Sequence, residues 1–222
     1  MCVITIGHNL TKKQKNKLDD KLFDMAESNP HGVSYQCSKD GFKVHRYVDS
    51  SDILTSVNMS KLIDSDLFMI HFRLATHGTV SLSNCHHFDI GLGRTLCHNG
   101  MIAGIGNELE SDTNELAQAL KDVKTKQALK ILEALASSGN GKFLIFDSKM
   151  KIYYKVGNFE NDNGLIVSNK HYCRMTWYSK NKVQSMHDWN SFYDDELTDK
   201  YEYISDTQLV NEYAIQQSRL KK

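Results

Sequence analysis

Cys2-Val3-Ile4-Thr5-Ile6 reads as a strand beside Met1, because it alternates along its length and is rich in β-branched residues. Its counterparts lie far along the chain. Residues 142–146, 152–156 and 165–168 are apolar runs broken by short turn signals, which predicts consecutive antiparallel strands with tight turns. Between these ends, residues 11–28 carry Leu18, Leu22, Phe23 and Met25 among many charges, which predicts an amphipathic helix capped by Thr11. Residues 33–37 and 42–48 predict a hairpin around Lys39-Asp40-Gly41. A short helix is expected over 51–62, strands over 67–73 and 95–98, and helices over 113–120 and 125–135. Strands at both ends with helices grouped between them predict an α+β sandwich.

The 222 residues suit one domain with an added C-terminal element, and the single proline, Pro30, marks no linker. Lys and Arg number 27, as do Asp and Glu, so a zero formal charge gives no reason to expect nucleic acid or an anionic membrane as partner. No apolar run is long enough to span a bilayer, and Lys12, Lys13, Lys15 and Lys17 follow the first apolar stretch too soon for a secretory signal. Five cysteines at irregular spacing make no disulfide framework in a chain of this size, and a reduced, cytoplasmic protein is expected.

Four places carry chemistry. Cys2 follows an initiator methionine, whose removal would leave a free α-amine beside the thiol. The two groups ionise near neutrality, with reference values of about 7.7–8.0 and about 8.5, so one residue can supply both base and nucleophile. Read alone, Cys2 is more often a buried apolar cysteine opening a strand. In Phe72-Arg73-Leu74-Ala75-Thr76-His77-Gly78, an arginine at the end of an apolar strand suits a carboxylate, of a ligand or of the protein itself. Cys97-His98-Asn99-Gly100 ends a strand where an amide side chain and a glycine N–H can aim at one spot, as an oxyanion hole does; Asn-Gly alone is a turn. Ser111-Asp112-Thr113-Asn114-Glu115 is a helix cap, and its carboxylate can also take an ammonium.

Taken in order, these motifs resemble the class II glutamine amidotransferases, the glutaminase domains of glucosamine-6-phosphate synthase, amidophosphoribosyltransferase and asparagine synthetase. Met1-Cys2-Val3-Ile4 is similar to the family's Met-Cys-Gly-Ile, and Arg73 to Gly78 matches Arg-x-Ala-Thr-x-Gly. Asn84-Cys85-His86-His87 is close to Asn-x-His-Pro, His98-Asn99-Gly100 matches His-Asn-Gly, and residues 111–114 are close to Ser-Asp-Thr-Glu. The resemblance covers roughly residues 1–168. It implies a four-layer αββα N-terminal-nucleophile hydrolase in which Cys2 attacks the side-chain amide of glutamine. Asn99 and the Gly100 N–H would hold the oxyanion. Arg73 would take the substrate carboxylate and Asp112 its ammonium, with Thr76 and His77 lining the pocket. No cofactor is implied. The expected product, besides glutamate, is ammonia for a separate synthase subunit.

Val3, His87 and Asn114 depart from the family's glycine, proline and glutamate. Cys85, His86, His87, Cys97 and His98 invite a metal reading, but their spacing matches no finger or ribbon, and no metal is expected. Gly91-Leu92-Gly93 lacks the third glycine of a dinucleotide loop. The domain is expected over 2–193, with a charged, partly helical extension over 194–222. Two other readings stay open: hydrolysis of a different γ-glutamyl amide, or a non-catalytic binding module on the same fold.

Overall fold

β1 (Val3–His8) runs between β4 (Leu67–Phe72) and β10 (Leu165–Val167), antiparallel to both. The computed structural model describes residues 2–76, 78–139 and 141–172. Around β1 a six-stranded sheet is completed by β2 (Val33–Cys37), β3 (His45–Tyr47) and β9 (Glu160–Asp162), in the order β3-β2-β4-β1-β10-β9. A second sheet runs β5-β6-β7-β8, from β5 (Phe88–Asp89), β6 (Arg94–Asn99), β7 (Lys142–Asp147) and β8 (Ile152–Val156). Its pairs are antiparallel as well, so the fold is a mixed α/β one with two antiparallel sheets.

The two-residue period of a strand explains how the sheets are used. In β4, Phe68, Ile70 and Phe72 face one way and pack with Leu18, Leu22 and Met25 of α2 (Leu18–Ser28) and with Met59 and Leu62 of α3 (Ser56–Ile63). Leu67 and Met69 face the other way and join Ile4 and Ile6 of β1 with Cys97, Leu144 and Phe146 of the second sheet. The opposite face of β7, Phe143 and Ile145, packs with Leu116 and Leu120 at α4 (Asp112–Ala119) and with Ala128 and Leu132 of α5 (Thr125–Gly139). Each central strand is covered on both faces. That is why β4 reads as a nearly unbroken apolar run, broken only at His71, rather than as an alternating one.

The structure departs from the expected elements in three places. The helix expected over 11–28 is two. Thr11 caps α1 (Lys12–Lys15) in a reciprocal capping box with Gln14, and α2 starts afresh at Leu18, where the buried stripe begins. A 3-10 turn, Ser50–Leu54, precedes α3, which starts at Ser56. Most consequential, β7, β8 and β10 are not three consecutive hairpin strands. β7 and β8 pair, whereas β10 leaves for the first sheet and lies against β1 and β9. The expected extension over 194–222 lies outside the described residues. No helix among the described residues is long and apolar enough to cross a membrane.

Candidate active site

The crossing of β10 carries Ser168 to the start of β1. Thr5 pairs with Val167, and the Ser168 N–H donates to the Ile4 carbonyl at 2.9 Å. The Ser168 hydroxyl accepts the Ile4 N–H at 2.9 Å and an N–H of the Asn99 side chain at 2.8 Å. Asn99 ends β6 in the other sheet, so one buried hydroxyl joins the strand that follows Cys2 to the strand that ends in Asn99. Asn169, also buried, donates its side-chain N–H to the Cys2 carbonyl at 2.8 Å. Lys142, opposite Asn99 in the β6–β7 register, donates to the Ser168 carbonyl. Cys2, Asn99 and Gly100 are thereby gathered at one end of the two sheets.

Cys2 is partly exposed and free, and its sulfur accepts the Leu74 N–H at 3.3 Å. Burial of the thiol outweighs that bond and pushes its pKa above the ordinary value. A neutral thiol at pH 7 needs a base to become a nucleophile. Asn99 is buried, and its Oδ1 has no partner among the described residues. Gly100, which follows it, is exposed, with φ at 150°. A Cβ there would stand 2.8 Å from His98 Nε2 and 3.1 Å from the Gly141 Cα, so only glycine fits.

Arg73 is buried at the end of β4. Its guanidinium donates to the Thr79 carbonyl at 2.8 Å and to the Gly78 carbonyl at 3.2 Å, which folds the following loop back over the strand end. Gly78 lies against Glu110 and Ser111, close enough that a Cβ would stand 2.8 Å from the Ser111 nitrogen. The Arg73 loop and the start of α4 are therefore neighbours. Ser111, not Asp112, is the N-cap, accepting the Asn114 N–H. Asp112 accepts the Ile102 N–H at 2.8 Å through Oδ2, and the Thr113 N–H at 2.6 Å and hydroxyl at 3.1 Å through Oδ1. Thr76 is exposed, and His77 lies outside the described residues.

The Thr113 hydroxyl gives its proton to Asp112, so its oxygen accepts from His98 Nδ1–H at 3.1 Å. That tautomer leaves the lone pair of Nε2 toward Gly100, and Nε2 has no partner among the described residues. Burial holds His98 down to about 4 despite the opposing Asp112 carboxylate. No group of three His, Cys, Asp or Glu side chains that could hold a metal occurs among the described residues. In the cluster that invites one, His86 Nδ1 is occupied by the His98 N–H at 3.1 Å, and His87 Nδ1 lies 3.0 Å from the Ser34 hydroxyl. Burial raises the Cys85 thiol to about 11 and the Cys97 thiol to about 12.

Sequence reasoning did not single out Ser168, Asn169 or Lys142, and it assigned no work to Asn84. Asn84 is fully buried and donates to the Thr79 and Leu109 carbonyls while accepting the Ser111 N–H. Only its place in the Asn84-Cys85-His86-His87 motif pointed to it.

No protein-family model matches the chain, and no curated protein does. Among the solved structures similar to it are the following two. One is an allosteric regulatory enzyme of purine biosynthesis, 22% identical over 66% of this chain, with a TM-score of 0.44. The other is glutamine phosphoribosylpyrophosphate amidotransferase from B. subtilis, complexed with ADP and GMP. It is 17% identical over 67% of this chain, with a TM-score of 0.38. The match spans 35% of the length of each of these proteins.

Proposed function

We propose that the protein is a class II glutamine amidotransferase domain of the αββα type. It releases ammonia from the glutamine side chain through Cys2. The observation that carries this reading is the Ser168 hydroxyl, bonded at once to Ile4 N–H, two residues from the nucleophile, and to the Asn99 amide. That link supports a reading in which a nucleophile and an amide donor from separate sheets share one site.

In the proposed reaction, removal of Met1 frees the α-amine of Cys2, which takes the proton of a thiol held above its ordinary pKa. The sulfur bonds to the amide carbon, and the carbonyl oxygen becomes an oxyanion facing Asn99 and the Gly100 N–H. Collapse breaks the C–N bond. The ammonium proton goes to the departing nitrogen, which leaves as ammonia. Water then attacks the γ-glutamyl thioester, and glutamate departs as the thiol is restored. The sum is glutamine plus water giving glutamate plus ammonia. Arg73 and Asp112 anchor the amino-acid end, beside Thr76 and His77, and fix the amide in reach of sulfur. The ammonia is passed to a separate acceptor subunit.

The test is intact mass before and after a glutamine-mimicking diazoketone, with peptide mapping. The expected outcome is loss of Met1 and one adduct on Cys2, suppressed by excess glutamine. Ammonia release should disappear in Cys2→Ala. Retained Met1 with no adduct would remove the catalytic reading and leave a binding module on this fold.

A further inference from the structure

We infer that Ser168 is a positioning residue for the oxyanion amide: its hydroxyl proton sets which end of the Asn99 side chain faces the reacting carbonyl. This rests on the glutaminase reading and adds to it a residue outside every motif in the sequence.

The argument is a count of donors and acceptors. Ser168 is fully buried, with its N–H on the Ile4 carbonyl and its carbonyl on Lys142. Its hydroxyl oxygen accepts Ile4 N–H. With Asn99 Nδ2 also donating to that oxygen, nothing among the described residues takes the hydroxyl proton. Asn99 Oδ1 then sits buried with no donor among the described residues. Buried polar groups left in this way are costly and rare. A half-turn of the Asn99 amide removes both defects. Oδ1 comes to lie 2.8 Å from the Ser168 oxygen and accepts its proton, since the two ends of an amide have nearly the same shape.

After the turn, what lacks a partner among the described residues is the pair of Nδ2 hydrogens. Donors held ready without an acceptor are what a developing oxyanion needs, because they require no rearrangement when the charge appears. Ser168 holds its own place through the Ile4 backbone on one side and Lys142 on the other. It therefore fixes the amide rather than following it.

Two measurements decide the matter. The first is neutron diffraction from crystals of the deuterated wild-type protein, which separates N–D2 from O directly. The expected result is a deuteron on Ser168 aimed at Asn99 and both amide deuterons on the far side. Amide deuterons facing Ser168 would overturn the inference. The second is a double-mutant cycle in glutamine hydrolysis with Ser168→Ala and Asn99→Ala. Ser168→Ala should lower kcat roughly tenfold with KM within about twofold, Asn99→Ala about a hundredfold, and the double variant no further than Asn99→Ala. Ser168→Thr, which keeps the hydroxyl, should restore most of kcat. Independent, multiplying losses would show that Ser168 acts by some other route and sink the proposal. A wild-type protein without glutaminase activity would overturn the glutaminase reading alone, and the neutron result would still decide the orientation of the amide.

Discussion

His71 on β4 and His86, which leads into the second sheet, stack ring on ring with centroids 3.6 Å apart and planes 13° from parallel. Both are buried, and neither ring nitrogen of His71 has a partner among the described residues. His98 and His87 complete a group of four buried imidazoles close to the join between the sheets. Such a stack is stable only with neutral rings, since two imidazolium ions at that separation would repel each other in a low-dielectric interior.

The group predicts acid sensitivity. Burial holds His87 near 3 and His98 near 4, and holds His71 and His86 well below the ordinary histidine range. Arg46 pushes His87 the same way, Arg73 does so for His71 and His86, and Asp112 opposes at His98. In the unfolded chain each ring titrates at about 6.5. Between the folded and unfolded values, the unfolded state holds the extra protons. Stability is therefore full above about pH 6.5 and falls as the pH drops toward the folded values. Unfolding should therefore be accompanied by proton uptake onto these rings once the pH falls below about 6.5. Urea midpoints at pH 7, 6 and 5 would reveal this, and a midpoint flat across the range would contradict it.

The parts of this fold that the sequence makes legible are those whose signal is local. β4 and the middle of β7 announce themselves because strands covered on both faces must be apolar at nearly every position, and β1 does so through its alternating β-branched residues. Thr11 and Gln14 announce a helix start because a capping box is written in four residues. β5 and β9, of two and three residues, carry too little pattern to read. The destination of β10 is hidden for a different reason. Asn163-Gly164 looks like any hairpin turn, and it does join β9 to β10, but which sheet the pair enters depends on contacts with β1 more than a hundred residues away. The same holds for the site. Cys2, Asn99 and Gly100 sit in short motifs, whereas Ser168 and Asn169 matter only because of the register that brings them beside Ile4 and Cys2.

Asn84 predicts how the two loops beside the site stay together. Its side chain is bonded to residues 79, 109 and 111 at once, at 3.0, 2.7 and 2.9 Å. Asn84→Ala leaves the Ser111 N–H without its acceptor and takes one of two donors from each carbonyl, since the Thr79 carbonyl keeps Arg73 and the Leu109 carbonyl keeps the Thr79 hydroxyl, and should cost about 1–3 kcal/mol. Asn84→Asp keeps the acceptor but turns a negative charge on the Thr79 and Leu109 carbonyls, so it should be at least as damaging. Urea midpoints with limited proteolysis within residues 101–110 would measure this. Resistance to cleavage equal to wild type in both variants would show that the loops are held by something else.

Gly100 predicts a loss of turnover out of proportion to the size of the change. A methyl group there meets His98 Nε2 at 2.8 Å on a backbone with φ at 150°. The ring cannot easily retreat, because Nδ1 is bonded to Thr113 and its face is stacked on Phe143 at 4.4 Å. The Gly141 Cα at 3.1 Å blocks the other direction. The strain must then be relieved by rotating the peptide that carries the Gly100 N–H, one of the two proposed oxyanion donors. Gly100→Ala should lower kcat for glutamine hydrolysis by about tenfold to a hundredfold, with KM little changed. The overpacking should cost about 1–3 kcal/mol of stability. Paired kinetics and urea melts separate the two effects. A variant that loses stability yet keeps full kcat would place the Gly100 N–H outside the reaction.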